Sequence, residues 1–516
     1  MSAVFMAFAA GCASLPERHE QPSNALRPAS DSLLQRVSRA SIPAGRETGF
    51  RPLQFSGYAM DARLALADAA EHSIDLQYYL LQDDMTGHTL VRALRDAAAR
   101  GVRVRLLVDD MYTVSSAQML VELAALPNVS VRLFNPFAAG RASATTRWLL
   151  ALADFSRLNH RMHNKLYIVD GAFAVAGGRN IADEYFFNSE EGNFLDFDLL
   201  VTGQAVPRME DVFDRYWNSR WTFDIHSIEG QGGDPASMRR RLDERIGDAG
   251  AGFPRLDAAA VDVMGYRPLS AELAQPPLKL SYGSVVVLAD NPEKVGATTQ
   301  AAAAGIRTLM SDVVDAMGET RSSLVIKSPY YVPGAVGIEG LRRARARGVD
   351  VEVITNTIAA TDEPFVGAAY ARYRVAMLEL GVDLREISSR ALKTINPAMR
   401  EALGNATGRS HAKLVVMDRR VVFVGSMNFD HRSAALNTEF GLLVTSEELA
   451  EQVMSVVDWL ESAGTYRLRL SKSGTSVEWE MTKDGIRETY SADPELSFGA
   501  RLKLMLLAPL VPEDLL

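Results

Sequence analysis

Apolar positions along the chain fall into two rhythms, and the same succession of rhythms is written twice. Leu90, Val91, Leu94 and Ala98 share one face of a helix, which runs through a charged turn into the strand-like VRVRLLV at 102–108. In the second half, Ala346-Arg347-Gly348-Val349 repeats the turn Ala99-Arg100-Gly101-Val102 and leads into VDVEVIT. Upstream, IDLQYY (74–79) matches VIKSPYY (325–331); downstream, HNKLYIVD (163–170) matches HAKLVVMD (411–418). Gly101 lies 62 residues before His163, and Gly348 lies 63 before His411, so the register holds across each half. Gly177-Gly178-Arg179-Asn180 then answers Gly425-Ser426-Met427-Asn428, DFDLLVT (196–202) answers EFGLLVT (439–445), and helices end near Trp217 and Trp459.

Strands alternating with helices predict α/β lobes, each a mixed sheet flanked by helices. Residues 50–224 form the first and 299–465 the second, related by a pseudo-twofold axis. The stretch 225–298 is rich in Gly, Pro and charge, finds no partner in the other half, and is read as an insertion or linker. Residues 466–516 are a C-terminal extension. Its end, 498–516, mixes Arg501 and Lys503 with leucines and is read either as a helix packed on the domain or as a membrane-contacting segment.

Composition changes this picture little. The 516 residues are 47% hydrophobic and 23% charged, enough for a large core, and the formal charge of −9 argues against a general nucleic-acid binder. No apolar run is long enough to span a bilayer. One cysteine, Cys12, excludes an internal disulfide and a cysteine metal site. It ends the apolar leader MSAVFMAFAAGC, and Ala9-Ala10-Gly11-Cys12 resembles a bacterial lipobox. Residues 1–45 are therefore read as a signal and lipoprotein leader with a solvated tether, lipidated at Cys12, on a protein of the bacterial envelope facing the periplasm.

The chemistry rests on His163-x-Lys165 and His411-x-Lys413. Side chains two apart on a strand project from one face, so each copy sets an imidazole beside an ammonium. A phosphodiester resists attack until cations neutralise its oxygens; a neutral imidazole then attacks phosphorus, and a second imidazole protonates the leaving alkoxide. Asp170 and Asp418 have the opposite parity and sit at turns, where they fix the strand end. Asp196 and Glu439, 33 and 28 residues after the histidine of their own repeat, are the candidates to orient the imidazoles. Asn180 and Asn428 follow glycine turns and can donate to phosphate. A lysine on the same face repels a metal ion, so neither metal nor other cofactor is expected.

These paired HxKxxxxD segments resemble the phospholipase D superfamily over about 55–465. Within it, DLQYYLLQDDMTG (75–87), GGRNIADEYF (177–186) and SMNFDHRSAALNTEFGLLV (426–444) are most similar to bacterial cardiolipin synthases lacking N-terminal transmembrane helices. The resemblance implies one shared active site with His163, Lys165, Asp170, His411, Lys413 and Asp418 as the catalytic set. It further implies His163 as nucleophile, His411 as general acid, Lys165, Lys413, Asn180 and Asn428 on the phosphate, and Asp196 and Glu439 orienting the imidazoles. The expected function is a phosphatidyltransferase acting at a membrane surface on phosphatidylglycerol and phosphatidylethanolamine through phosphatidyl-histidine. A phospholipase D hydrolase is the alternative, and a nuclease fits less well.

Other charged residues are read more plainly. Arg141, Arg147, Arg157 and Arg161, with Lys393, Arg400 and Arg409 before the second motif, are either solvated or gather anionic headgroups. His160 has no partner in the repeat and is read as a loop residue. Asp83, Asp84, Asp109 and Asp110 either line the pocket or serve as caps.

Overall fold

The computed structural model describes residues 15–141, 145–147, 154–247, 253–296, 307–389, 406–462, 464–483 and 486–507. Cys12, Lys393, Arg400 and 508–516 lie outside them. Among the described residues no helix is long and apolar enough to cross a membrane.

Each lobe is built on three parallel strands: Ser73–Tyr78, Arg103–Asp109 and Val129–Phe134 in the first, Ser323–Lys327, Asp350–Asn356 and Asp383–Ile387 in the second. Antiparallel strands extend each sheet on one side. They are Leu166–Val169, Phe173–Gly177, Asp198–Gly203 and Thr48–Leu53 in the first lobe. Leu414–Met417, Val421–Gly425, Phe440–Thr445 and Ser281–Ala289 answer them in the second. The parallel strands are buried on both faces because side chains alternate between two cores. Val104, Leu106 and Val108 meet helices Ser56–Ala69 and Met85–Ala99, whereas Leu107 enters a second core shared by both lobes. That shared core takes Phe213 and Trp217 from helix Ala205–Trp217, and Leu449, Val453 and Val457 from helix Glu447–Ser462. Each of these helices also packs on the outermost strand of the opposite lobe.

Two stretches outside the lobes as read from the sequence are built into them. Within the stretch read as a linker, Ser281–Ala289 is the second lobe's counterpart of Thr48–Leu53; the two pair antiparallel and join both sheets into one, of 18 strands among the described residues. Met238, Leu242 and Ile246 of the same stretch bury beside helix Ala117–Ala124. The extension after 465 begins inside the sheet, since Thr465–Leu470 pairs with Asp383–Ile387 and carries Val477–Lys483 and Ile486–Tyr490 beyond it. Its helix Phe498–Leu507 packs on Pro364–Ala371 while Phe498 and Leu502 stay exposed.

The described part of the tether is also less free than its polar composition suggests. Backbone carbonyls of Gln21, Ser23 and Asn24 accept from Arg132, Arg105 and Arg103. The Ala25 amide donates to Asp214. Inward-facing arginines need acceptors, and the strap supplies them. Arg105 is central here: it forks onto both oxygens of buried Asp75 at 2.7 Å and stacks 4.8 Å above Phe213.

Arg105→Ala should therefore destabilise the protein by about 3–5 kcal/mol, because it strands a buried carboxylate. Arg103→Ala, at a partly exposed pair with the same aspartate, should cost under about 1 kcal/mol. Paired denaturant melts of the two variants measure the difference.

Candidate active site

Backbone pairing between the lobes delivers the two histidines to one place. Strand Thr407–Ser410 runs parallel to Gly192–Leu195 of the first lobe, and the His411 amide closes the ladder on the Leu195 carbonyl at 2.8 Å. Symmetrically, Met162 bridges Thr438, and the His163 amide donates to the Thr438 carbonyl at 2.8 Å. The residue following each of those carbonyls is a carboxylate, so each histidine arrives beside the acid of the opposite lobe. His163 Nδ1 lies 3.0 Å from Glu439 Oε2, and His411 Nδ1 lies 2.7 Å from Asp196 Oδ2. The sequence names both acids without fixing which serves which histidine; the inter-lobe ladders pair each with the histidine of the other repeat.

Local sequence makes room for these acids. A Cβ on Gly178 would meet Asp196 Oδ1 at 2.1 Å, so only glycine lets Asp196 approach. The matching position is Ser426, whose hydroxyl instead donates to Glu439, as does Ser433 Oγ at 2.8 Å. Edge-on aromatic rings seat the imidazoles: Tyr79 against His163 at 5.0 Å, Tyr185 against His411 at 5.1 Å. Sequence reasoning did not single out Tyr79 or Tyr185. Tyr79 ends one of the matched strands and could have been found there.

Lys165 and Lys413 are almost wholly buried, and each Nζ donates to the carbonyl of its own histidine at 2.7 Å. Asn180 and Asn428 line the cavity, each with a side-chain oxygen that has no hydrogen-bond partner. Asp170 and Asp418 do not reach the cavity. Asp170 accepts from the amides of Glu71, His72 and Ser73, and Asp418 from those of Arg321, Ser322 and Ser323. Each pins the motif hairpin to the first parallel strand of its lobe, so these two residues hold the chain and touch no reacting atom.

The cavity encloses about 520 Å³ between the lobes. Its wall carries Arg409 and Arg432 against Glu184, Asp362, Glu363 and Asp430. The basic run before the first motif does not contribute. Arg141 pairs with buried Asp110 and with Glu229, Arg161 with buried Asp109, and Arg157 with Asp154, while Arg147 donates to the Asp110 carbonyl. Asp109 and Asp110 are thus internal ion partners; Asp84 caps helix Met85–Ala99, and Asp83 meets His88 and Arg245. His160 is buried, with Nδ1 2.8 Å from the Ser156 carbonyl.

Burial dominates the electrostatics. It pushes His163 down to about 4, against the opposing pull of Glu439, and it lowers His411, with Lys413 adding to the effect. Burial likewise brings Lys413 down to about 8 and holds Lys165 well below the usual range. Burial raises Asp196, but His411 and Lys413 outweigh it and keep the acid at about 2. Burial thus favours the neutral form of both imidazoles. His163 Nδ1 is committed to Glu439, which leaves Nε2 for the cavity and suits a nucleophile, whereas the Lys413 ammonium lies 2.8 Å from both ring nitrogens of His411.

Comparison with known proteins places this arrangement among lipid enzymes. Residues 64–217 and 313–460 match the family described as "Cardiolipin synthase, PLD-like domain". The chain is 36% identical to cardiolipin synthase C of Escherichia coli (strain K12) over 478 residues, covering 91% of this chain and 96% of that one. It is 25% identical to a cardiolipin synthase of Staphylococcus aureus (strain Mu50), over 81% of this chain and 68% of its relative. The crystal structure of phosphatidylserine synthase from Haemophilus influenzae Rd KW20 shares the fold, with a TM-score of 0.56 at 14% identity, covering 93% of this chain and 99% of that one.

An NMR titration of the imidazoles should place the His163 midpoint near 4, and Glu439→Gln should move it lower, because the carboxylate is what opposes burial. The sign for stability follows. The unfolded imidazole takes its proton near 6.5 and the folded one near 4, so stability owed to His163 is complete above 6.5 and drains away as pH falls toward 4.

Proposed function

The chain belongs to the cardiolipin synthase, phospholipase D-like family, and from that premise we propose a phospholipid phosphatidyltransferase that makes cardiolipin through a covalent phosphatidyl-histidine. The observation that carries the mechanism is the pair of crossed His–carboxylate contacts in one cavity. They supply two imidazoles of fixed tautomer, one from each lobe.

In the first step His163 Nε2 attacks the phosphorus of a donor phospholipid. A P–N bond forms, the P–O bond to the headgroup breaks, and His411 gives the departing alkoxide its proton. The resulting phosphoimidazolium bears positive charge, which Glu439 balances from Nδ1. The phosphate anion entering beside His411 favours the charged imidazole there, offsetting its burial. In the second step the hydroxyl of phosphatidylglycerol attacks phosphorus, His411 takes its proton, and the P–N bond breaks. Lys165, Lys413, Asn180 and Asn428 neutralise or bond the non-bridging oxygens in both steps. Ping-pong kinetics follow. The nucleophile is His163 on this reading, because no ammonium touches its ring, whereas Lys413 lies 2.8 Å from both ring nitrogens of His411.

The enzyme works at a membrane surface. Tyr112 and Phe155 on the cavity wall, with Phe365, Phe498 and Leu502 on nearby helices, leave apolar side chains in water where a bilayer would cover them. Cys12 is proposed as the lipid-bearing anchor and the periplasmic face as the location.

Purified protein given phosphatidylglycerol and phosphatidylethanolamine vesicles should produce cardiolipin, read by mass spectrometry. His163→Ala should abolish it, and His411→Ala should lower it about 10²–10⁴-fold. Phosphatidic acid as sole product would make the protein a hydrolase instead, with the same residues. A plasmid cleaved while both lipids stay intact would sink the lipid reading. Across a pH series, kcat/KM should decline as pH rises through about 8, where Lys413 loses its charge.

A further inference from the structure

The second lobe holds a groove whose counterpart in the first lobe is closed by protein. In the first lobe, helix Ser56–Ala69 precedes strand Ser73–Tyr78, helix Met85–Ala99 follows it, and the two helices pack on each other. Around the equivalent strand Ser323–Lys327, helices Leu309–Gly318 and Gly334–Ala346 stand on either side of a groove of about 1010 Å³. That is at the upper end of ligand-sized cavities, roughly 300–1000 Å³. Its floor is buried and apolar: Leu324, Tyr331, Leu341, Ala344 and Phe429. Val336 is 80% exposed and Val314 45% exposed along its sides, apolar surface held in water. Charges border it in opposed signs, Arg343 and Arg347 with Asp315 and Glu319.

This groove and the catalytic cavity lie on opposite sides of one stretch of bridged backbone and meet at one shared residue. Tyr331 and Phe429 face each other across a parallel bridge and line the groove, while their neighbours Tyr330 and Asn428 line the cavity. This is the two-sided alternation of extended backbone. Asp430 borders both spaces.

We propose that the groove seats an acyl chain of the phospholipid whose phosphate occupies the catalytic cavity. The inference rests on the phosphatidyltransferase reading above. A lipid substrate brings hydrocarbon as well as phosphate; the catalytic cavity mixes apolar residues such as Phe155 and Val366 with carboxylates and guanidinium groups, whereas the groove floor is apolar throughout. The groove beside it is apolar, large and unfilled by the helix packing that closes its counterpart. Gly337 and Gly340 keep one wall low, and a Cβ on Gly340 would meet nothing within 4 Å.

Gly340→Phe tests the proposal, since it grows a ring into that space and touches no catalytic group. Turnover of dioleoyl-phosphatidylglycerol should fall about 10-fold or more, through KM, while dibutyroyl-phosphatidylglycerol, too short to reach, should be turned over as by wild type. Equal loss on both substrates, or loss on neither, overturns the proposal. A phosphatidylglycerol with a photoreactive diazirine at the end of one chain provides a readout independent of turnover. Irradiated with inactive His163→Asn protein, it should label 310–319 and 334–344. Labelling there, even if wild type forms no cardiolipin, upholds the groove and rejects the transferase reading. Cardiolipin formed by wild type with labels only elsewhere rejects the groove alone.

Discussion

Each imidazole leans on a carboxylate from the opposite half of the chain, and the arrangement of the lobes is organised around that exchange. Lys165, Lys413, Asp196 and Glu439 are all buried, and an isolated ion in such a place costs several kcal/mol. Each lobe brings one lysine and one carboxylate to the centre, so these four buried charges balance one another. The short ladders Gly192–Leu195/Thr407–Ser410 and Met162/Thr438 then set the register in which these charges meet. The shared apolar core behind them supplies the adhesion that lets such costly groups stay in place.

The pseudo-symmetry is broken at one atom-scale site. Gly178 leaves Asp196 space, whereas Ser426 gives Glu439 a hydroxyl donor. A carboxylate that already accepts from two hydroxyls, those of Ser426 and Ser433, is a poorer acceptor for its histidine, so the Gly178/Ser426 difference contributes to separating the two imidazoles in character. Two equivalent imidazoles would compete for the same role; these two are unlike before any substrate arrives.

Much of this was legible in the chain. The doubled HxK segments, the glycine turns before Asn180 and Asn428, and the two acids identified the site because they recur in register. The parity of Asp170 and Asp418 put them away from the other motif residues. What could not be read was which copy faces which. Crossing depends on a four-residue parallel pair and one isolated bridge, too short to leave a periodic trace. Ser281–Ala289 was missed for a related reason: its burial is irregular and its neighbourhood polar, so its strand character comes from its partners Thr48–Phe50 and Phe440–Thr445. The arginines before His163 were visible as charge, but the buried carboxylates that hold Arg141 and Arg161, Asp110 and Asp109, lie far off in sequence.

The seam where Thr48–Phe50 meets Ser281–Gly283 has a mechanical consequence. A cleft between two lobes usually suggests jaws that open and shut, but here the sheet runs unbroken through the join, and spreading the lobes would tear its hydrogen bonds and unpack the core beneath. The enzyme is better pictured as a fixed anvil. On the proposed two-step course, donor and acceptor would take turns at one unmoving station, and the sequence of events would be governed by who occupies the cavity rather than by any stroke of the protein.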